Sequence, residues 1–384
     1  VVVGESEGTA GLESFRWTVG GGIQDLATIV GTAARGRAAS FDGAVVVGDS
    51  DAGSFRWSAV DGFQTIVGNA ALHSANAVTA DGAVVVGRGQ INASTPGAFR
   101  WSAATGAVRL DTLVGYADAE AFGVSADGNV IVGASYFGPS GEQTQAVRWI
   151  ADGLGGFTTE ALGDLPGGNF MSRAVAVSAD GTLIFGISES DQGEEAFIWT
   201  ATGGMQGLGD GTRDLRAMSA DGSVIVGGSH IWDANNGTRS LFQMLTESGI
   251  GGFENWDLST IGVSADGRTI VGEGTNPDGN QEGWRVVLPV NAAAPFFDTV
   301  PAGLSTVQAG QPITFTASAF EPDGQLVQYR LLGNVPIGVN FLGGEFSWTP
   351  TNDDVGDHTF VIRAYDSGVP SRYTDSPFTI RVTP

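Results

Sequence analysis

Six aspartates recur at one point of a repeated pattern, each followed by glycine: Asp42, Asp81, Asp127, Asp180, Asp221 and Asp266. Five arginines, Arg16, Arg56, Arg100, Arg148 and Arg285, occupy a second recurring position between or beside aromatic residues. Arginine and carboxylate form charge-assisted, bidentate hydrogen bonds, so these groups could pair within or between repeats. One copy per repeat suits a structural brace, whereas an active site needs an asymmetric constellation. The three histidines, His73, His230 and His358, stand apart from one another and suggest neither a zinc site nor a Ser-His-Asp triad. All 18 basic residues are arginine, and there is neither lysine nor cysteine. That excludes Schiff-base and P-loop lysine chemistry, thiol nucleophiles, thiolate metal sites and disulfides. The 42 acidic residues always supply carboxylate pairs of the kind glycoside hydrolysis needs, but no motif selects one.

Other groups could bind rather than react. Trp232 and Trp256 fall outside the repeat, whereas the other seven tryptophans fit a recurring position or the C-terminal segment. Trp232 lies in a variable connection, as do Tyr136 and Phe137, and such connections project from rigid scaffolds. Tyr136, Phe137 and Trp232 are therefore the candidate ligand-binding residues, with rings suited to sugar or protein contacts. The acidic loops at 49–51, 189–191 and 276–282 carry oxygen ligands without the full spacing of a calcium loop and read as solvated turns. A formal net charge of −24 disfavours nucleic acid and keeps the chain soluble by self-repulsion in a salty or extracellular medium.

The elements that position these residues follow from the repeat. Each Asp-Gly precedes a Val-Val-Val-Gly-like segment closing at Gly48, Gly87, Gly133, Gly186, Gly227 or Gly272, and Gly4 closes a seventh. These glycines are 39 to 53 residues apart, about 45 on average, the length of one four-stranded propeller blade. Asp-Gly between valine-rich runs signals a hairpin. Phe-Arg-Trp, at 15–17, 55–57 and 99–101, alternates with period two, placing the aromatics on one face and arginine on the other. No segment shows convincing helical periodicity with caps. We expect an all-β chain with a seven-bladed β-propeller over residues 1–289. Its first blade is incomplete, with the missing strands upstream of Val1 or in a neighbouring chain.

The segments Ala176-Val177-Ser178-Ala179-Asp180-Gly181, Ala196-Phe197-Ile198-Trp199 and Gly203-Gly204-Met205 resemble the HAF-type extracellular repeats of bacteria. The resemblance covers about three-quarters of the chain. It implies a secreted or surface-displayed protein and brings no catalytic activity with it.

After a linker at 290–294 the pattern changes, and 295–384 has the length of one immunoglobulin-like β-sandwich. Candidate strands are 313–319, 326–332, 345–349, 358–365 and 378–382. The segments Glu321-Pro322-Asp323-Gly324, Phe346-Ser347-Trp348-Thr349-Pro350 and Ala364-Tyr365-Asp366-Ser367-Gly368 resemble the bacterial putative-Ig, cadherin-like family, whose modules act as spacers and adhesive units. The resemblance implies a calcium ion at Glu321, Asp323 and Asp366. The linker departs from the family in offering only Asn291, so other oxygens must complete the six to eight ligands that calcium takes.

These readings point to a non-catalytic structural or scaffold module of a bacterial surface layer, filament or larger assembly. The alternative is an adhesin or glycan-binding propeller using the loop aromatics; a carbohydrate-active enzyme ranks third. The expected partners are other protein subunits or surface polysaccharide. Neither nucleic acid nor a membrane span is expected.

Overall fold

A computed structural model describes residues 1–8, 11–26, 34–68, 73–91, 96–138, 143–209, 211–291, 293–301 and 303–384. The chain is all-β and divides into two compact units, Val1–Ile231 with Trp256–Arg285, and Trp232–Asn255 with Val286–Pro384.

In the first unit, successive repeats make successive antiparallel meanders. One runs Ala34–Ala39, Val45–Ser50, Gly53–Ser58, Gly62–Gly68, and the next Ser74–Val78, Val84–Gly89, Gly97–Ser102, Gly106–Arg109. Two further meanders begin at Asp118–Val124 and Gly167–Val177 and are joined by a single parallel bridge, Thr144 to Met171. Ala217–Met218 and Asp257–Val263 lead later copies. The chain's first sheet starts directly on the Val-Val-Val-Gly strand, as Val2–Gly8, Gly11–Thr18 and Gly22–Asp25.

The repeated residues explain this geometry. Ser40 Oγ donates to Asp42 Oδ1 at 2.7 Å while the Ala44 N–H donates to the same oxygen and the Val45 N–H to Ser40 Oγ. The glycine after each aspartate takes a left-handed conformation, as Gly43 does at φ 66°. The same knot of hydroxyl, carboxylate and N–H recurs at Thr79–Asp81, Ser125–Asp127, Ser178–Asp180, Ser219–Asp221 and Ser264–Asp266. The Val-Val-Val-Gly glycines answer a different need, since a Cβ there would land on backbone. At Gly48 it would meet the Arg35 carbonyl oxygen, at Gly87 that of Ser74, at Gly133 that of Glu120 and at Gly272 that of Ser259. A β-bulge in five of the leading strands, as between Ala121 and Gly123, sits beside that close approach.

Neighbouring sheets pack through the same motif. A Cβ on Gly82 would collide with Val45, and one on Gly128 would crowd Val84. Backbone bonds run from turn to turn: Phe41 N–H to the Ala80 carbonyl, Ala126 to Ala179, Ala179 to Ala220 and Ala220 to Ala265. Between the sheets lie apolar clusters such as Val86, Leu110, Ile131, Val147 and the fully buried Trp149.

The second unit holds a sandwich. Gly303–Gln308, Tyr373–Thr383, Gly356–Asp366 and Val327–Leu332 form one sheet in that order, and Ile313–Thr316, Glu345–Trp348 and Asn340–Leu342 form the other. Its core is aromatic: Phe346 stacks on Phe315 at 4.6 Å and meets Phe360 and Phe378 edge-on. Phe296–Thr299, Gly303–Gln308 and Asn340–Leu342 were not among the strands read from sequence. This unit also corrects the expectation that no segment is helical. Leu241–Glu247 forms an α-helix with Leu241, Met244 and Leu245 buried at spacings of three and four, and Ser240 caps Gln243.

Candidate functional site

Asp366 closes the long strand Gly356–Asp366 and is fully buried. Its Oδ1 accepts from the Gly368 N–H at 3.0 Å, the Arg372 N–H at 3.1 Å and Asn291 Nδ2 at 3.0 Å. Its Oδ2 is buried without a hydrogen-bond partner. Glu321 follows the short strand Ser318–Phe320, is 5% exposed, and accepts from the Asp323 N–H at 3.0 Å through Oε1. Its Oε2 is likewise unpartnered. So are Asn291 Oδ1 and Gln325 Oε1. The two amides converge near Gly368, where a Cβ would stand 3.0 Å from Gln325 Oε1 and closer still to Asn291 Nδ2.

Burial pushes the Asp366 carboxyl above its ordinary range. Burial does the same to Glu321, helped by the Asp366 and Asp323 charges. Buried polar atoms are normally paired, so unpaired oxygens here mark a site that favours a proton or a cation. Asp323 lies at the exposed margin, where Oδ2 accepts from the Ala293 N–H at 2.8 Å. With Gly324, Gln325, Ser367 and Gly368 it lines a cavity of about 650 Å³. Among the described residues no three His, Asp or Glu side chains form a ready metal cluster. A hard cation would therefore have to draw on two carboxylates together with amide oxygens from Asn291 and Gln325, a donor type that suits calcium. Sequence reasoning named the carboxylates and noted Asn291; Gln325 carried no signal, because an isolated glutamine in a turn reads as solvated.

The segment Trp232–Asn255 fastens to the same loop. Asp233, 2% exposed, accepts from Arg239 Nη2 at 2.8 Å, and Arg239 Nη1 donates to the Ser367 carbonyl at 3.0 Å. Asn236 Nδ2 reaches the Asp366 carbonyl, and Arg330 Nη2 donates to the Asn235 carbonyl at 2.9 Å. Trp232 itself is 7% exposed, so its ring offers little face to a ligand.

Tyr136 and Phe137 end the strand Val130–Phe137 in the first unit. Tyr136 is half-buried, and burial together with Glu120 raises its hydroxyl pKa. Phe137 is 44% exposed and meets Tyr116 edge-on at 5.8 Å; the Tyr116 hydroxyl in turn donates to Gln145 Oε1. Thus Phe137 presents an open ring and Trp232 does not.

The repeated charges work structurally. The Asp-Gly aspartates bond within their own turns, and those hydrogen bonds hold the Asp42, Asp81, Asp127, Asp180 and Asp266 carboxyls below their ordinary range. The arginines reach forward to the next sheet: Arg16 Nε donates to the Gly43 carbonyl, Arg56 Nε to that of Gly82, and Arg148 lies 4.4 Å from the Trp199 ring centre. The loop at 276–282 is closed by Asn276 Oδ1, which accepts from the Asp278 and Asn280 N–H groups. No helix among the described residues is long and apolar enough to cross a membrane.

Residues 294–383 match the family model described as "Putative Ig domain". Among curated proteins nothing matches the chain. In structure it is similar to TolB from Acinetobacter baumannii, with TM-score 0.44, 17% identity, and coverage of 69% of this chain and 60% of that one. The chain therefore spans about three-fifths of that relative's length. It is also similar to the β-propeller domain of the Trilobed protease from Pyrococcus furiosus, with TM-score 0.44, 12% identity, and coverage of 74% and 90%. A third likeness is to human CDH23 EC21-23, with TM-score 0.22, 20% identity, and coverage of 35% and 52%. The sandwich is an immunoglobulin-like domain.

Proposed function

We propose that this chain is a non-catalytic scaffold module of a bacterial surface layer, filament or other extracellular assembly. It combines a seven-bladed propeller of HAF-type repeats with the immunoglobulin-like domain. One observation carries the reading: Arg16, Arg56 and Arg148 each brace the adjacent sheet, and Arg285 of the last sheet lies 5.4 Å from the ring of Trp17 in the first. That relation repeats the Arg148–Trp199 contact and supports the reading of a ring of sheets that returns on itself. The sandwich then serves as spacer or docking unit, with calcium held by Asp366 and Glu321 and completed by Asn291 and Gln325. Calcium removes the penalty of burying two carboxylates and links module rigidity to the extracellular medium.

The test is solution mass by light scattering after size exclusion, with calcium and then with chelator. A defined oligomer or polymer is expected; a monomer under both conditions would set the assembly reading aside. A second reading, supported by the open Phe137 ring, is adhesion to surface polysaccharide.

A further inference from the structure

Phe296 and Phe320 are directly opposed in an antiparallel ribbon of the second unit, formed by Phe296–Thr299 and Ser318–Phe320. Opposed residues share a face, so both rings stand on one side of the ribbon, with Cβ atoms about 5 Å apart. They are 61% and 60% exposed. The next pair, Phe297 and Ala319, turns inward. Phe297 packs on the aromatic core, and the Ala319 N–H donates to the Tyr329 hydroxyl at 2.7 Å. The ribbon is thus fixed to the sandwich from its inner face, and core packing does not account for the outer rings. Asp298 is the extra residue of a bulge, after which Thr299 opposes Ser318. Ser318 and Phe320 lie two apart on one strand and face the same way, so a rung of two hydroxyls adjoins the rung of two rings. Asp298 and Thr299 are exposed, and Ser318 is half-buried.

We infer that this ribbon face is a binding site for a neutral glycan chain of β-linked glucose. The two rings supply stacking surface for the C–H faces of a pyranose, while Thr299, Ser318 and Asp298 supply hydrogen-bond partners for its hydroxyls. Equatorial hydroxyls leave both faces of a β-glucosyl ring apolar and its rim polar, which matches an aromatic rung bordered by oxygen groups. The size of the surface favours a sugar over a protein. Two side chains of about 200 Å² each, three-fifths exposed, offer roughly 250 Å², against about 800 Å² per partner in a stable protein interface. A net charge of −24 selects against acidic glycans. The inference does not rest on the scaffold reading, and it uses a different surface from the Phe137 ring.

The experiment is calorimetric titration of the full chain with cellohexaose, laminarihexaose and hexagalacturonate. At least one of the two neutral glucans should bind saturably, and the acidic oligomer should not. Phe296→Leu and Phe320→Leu keep apolar bulk but remove the ring; each should weaken binding at least tenfold, with circular dichroism and Tm unchanged. Phe320→Tyr restores a ring and should bind like the parent. If the leucine variants misfold, Thr299→Val replaces them and should weaken binding severalfold. No saturable binding of either glucan up to millimolar concentration, equal binding of hexagalacturonate, or undiminished binding by the folded variants would each overturn the inference. So would a solution dimer that Phe320→Leu dissociates, because a second copy would then cover the rings. Loss of binding in Phe137→Ala, with the ribbon variants unaffected, would overturn it while leaving the adhesion reading in place.

Discussion

The guanidinium of Arg285 lies 5.4 Å from the centre of the Trp17 ring, although 268 positions separate the two residues. Arg148 and Trp199 make the same contact between consecutive repeats, so the last sheet treats the first as its next neighbour. Partly desolvated pairs of this kind contribute about 1 kcal/mol. Arg285→Ala should therefore lower the stability of the first unit by about that amount in urea unfolding. A double-mutant cycle with Trp17→Leu should return a coupling of the same size.

Gly133→Ala tests the backbone approach. The new Cβ would fall on the Glu120 carbonyl, with Ala121 Cα 3.0 Å away, so the strands must part or the bulge must shift. We expect a loss of about 3 kcal/mol, the range of core overpacking. A Tm within two degrees or so of the parent would contradict it.

Acid should act on the turns. The repeat aspartates have folded pKa values below the unfolded value of 3.8, so their contribution is fully present above that pH. It is lost as pH falls through the lower, folded values. Ser178→Ala removes the hydroxyl that donates to Asp180 and accepts from the Leu183 N–H; it should cost about 1 kcal/mol at neutral pH. The same variant should show a shallower loss of stability below about pH 4, read by Tm against pH.

Asp366 and Glu321 have the opposite sign. Their folded pKa values are raised, so without a cation they destabilise the sandwich increasingly as pH rises through and above the ordinary carboxylate range. Calcium should reverse this and raise the Tm of the second unit at pH 7. Asp366→Asn should abolish the calcium-induced shift while leaving Tm in chelator unchanged or higher. An unchanged calcium response in that variant would rule the site out.

Phe137→Ala should abolish retention on surface polysaccharide if that ring serves adhesion, with circular dichroism unaltered. Trp232→Ala should instead unfold part of the second unit, because that ring is buried.

Much of this architecture was legible because the repeat states its own rules. Asp-Gly marks each hairpin, and the spaced glycines mark each close approach of strands. The Ser–Asp knots were less visible: the sequence offered arginine as the partner of aspartate, whereas each aspartate bonds to a hydroxyl two residues earlier and to the N–H two residues later. Local hydrogen bonds win there because they need no long side chain to be ordered. The helix Leu241–Glu247 went unread because its three buried residues span a single turn, too short for a periodic signal. In the sandwich the carboxylates could be named from motif. The convergence of Asn291 and Gln325 on Gly368 depends on contacts across some 77 positions, which no local pattern records.

The self-contained turns have a practical corollary for engineering. Hydroxyl, carboxylate and donating N–H groups all lie within six consecutive residues, so the connection between the second and third strands of a repeat can change length without disturbing the knot. The 39-to-53-residue spacing shows how widely the repeat length already varies. Foreign epitopes inserted at those connections would be carried in several copies by 384 residues without one lysine side chain to take an amine-reactive label.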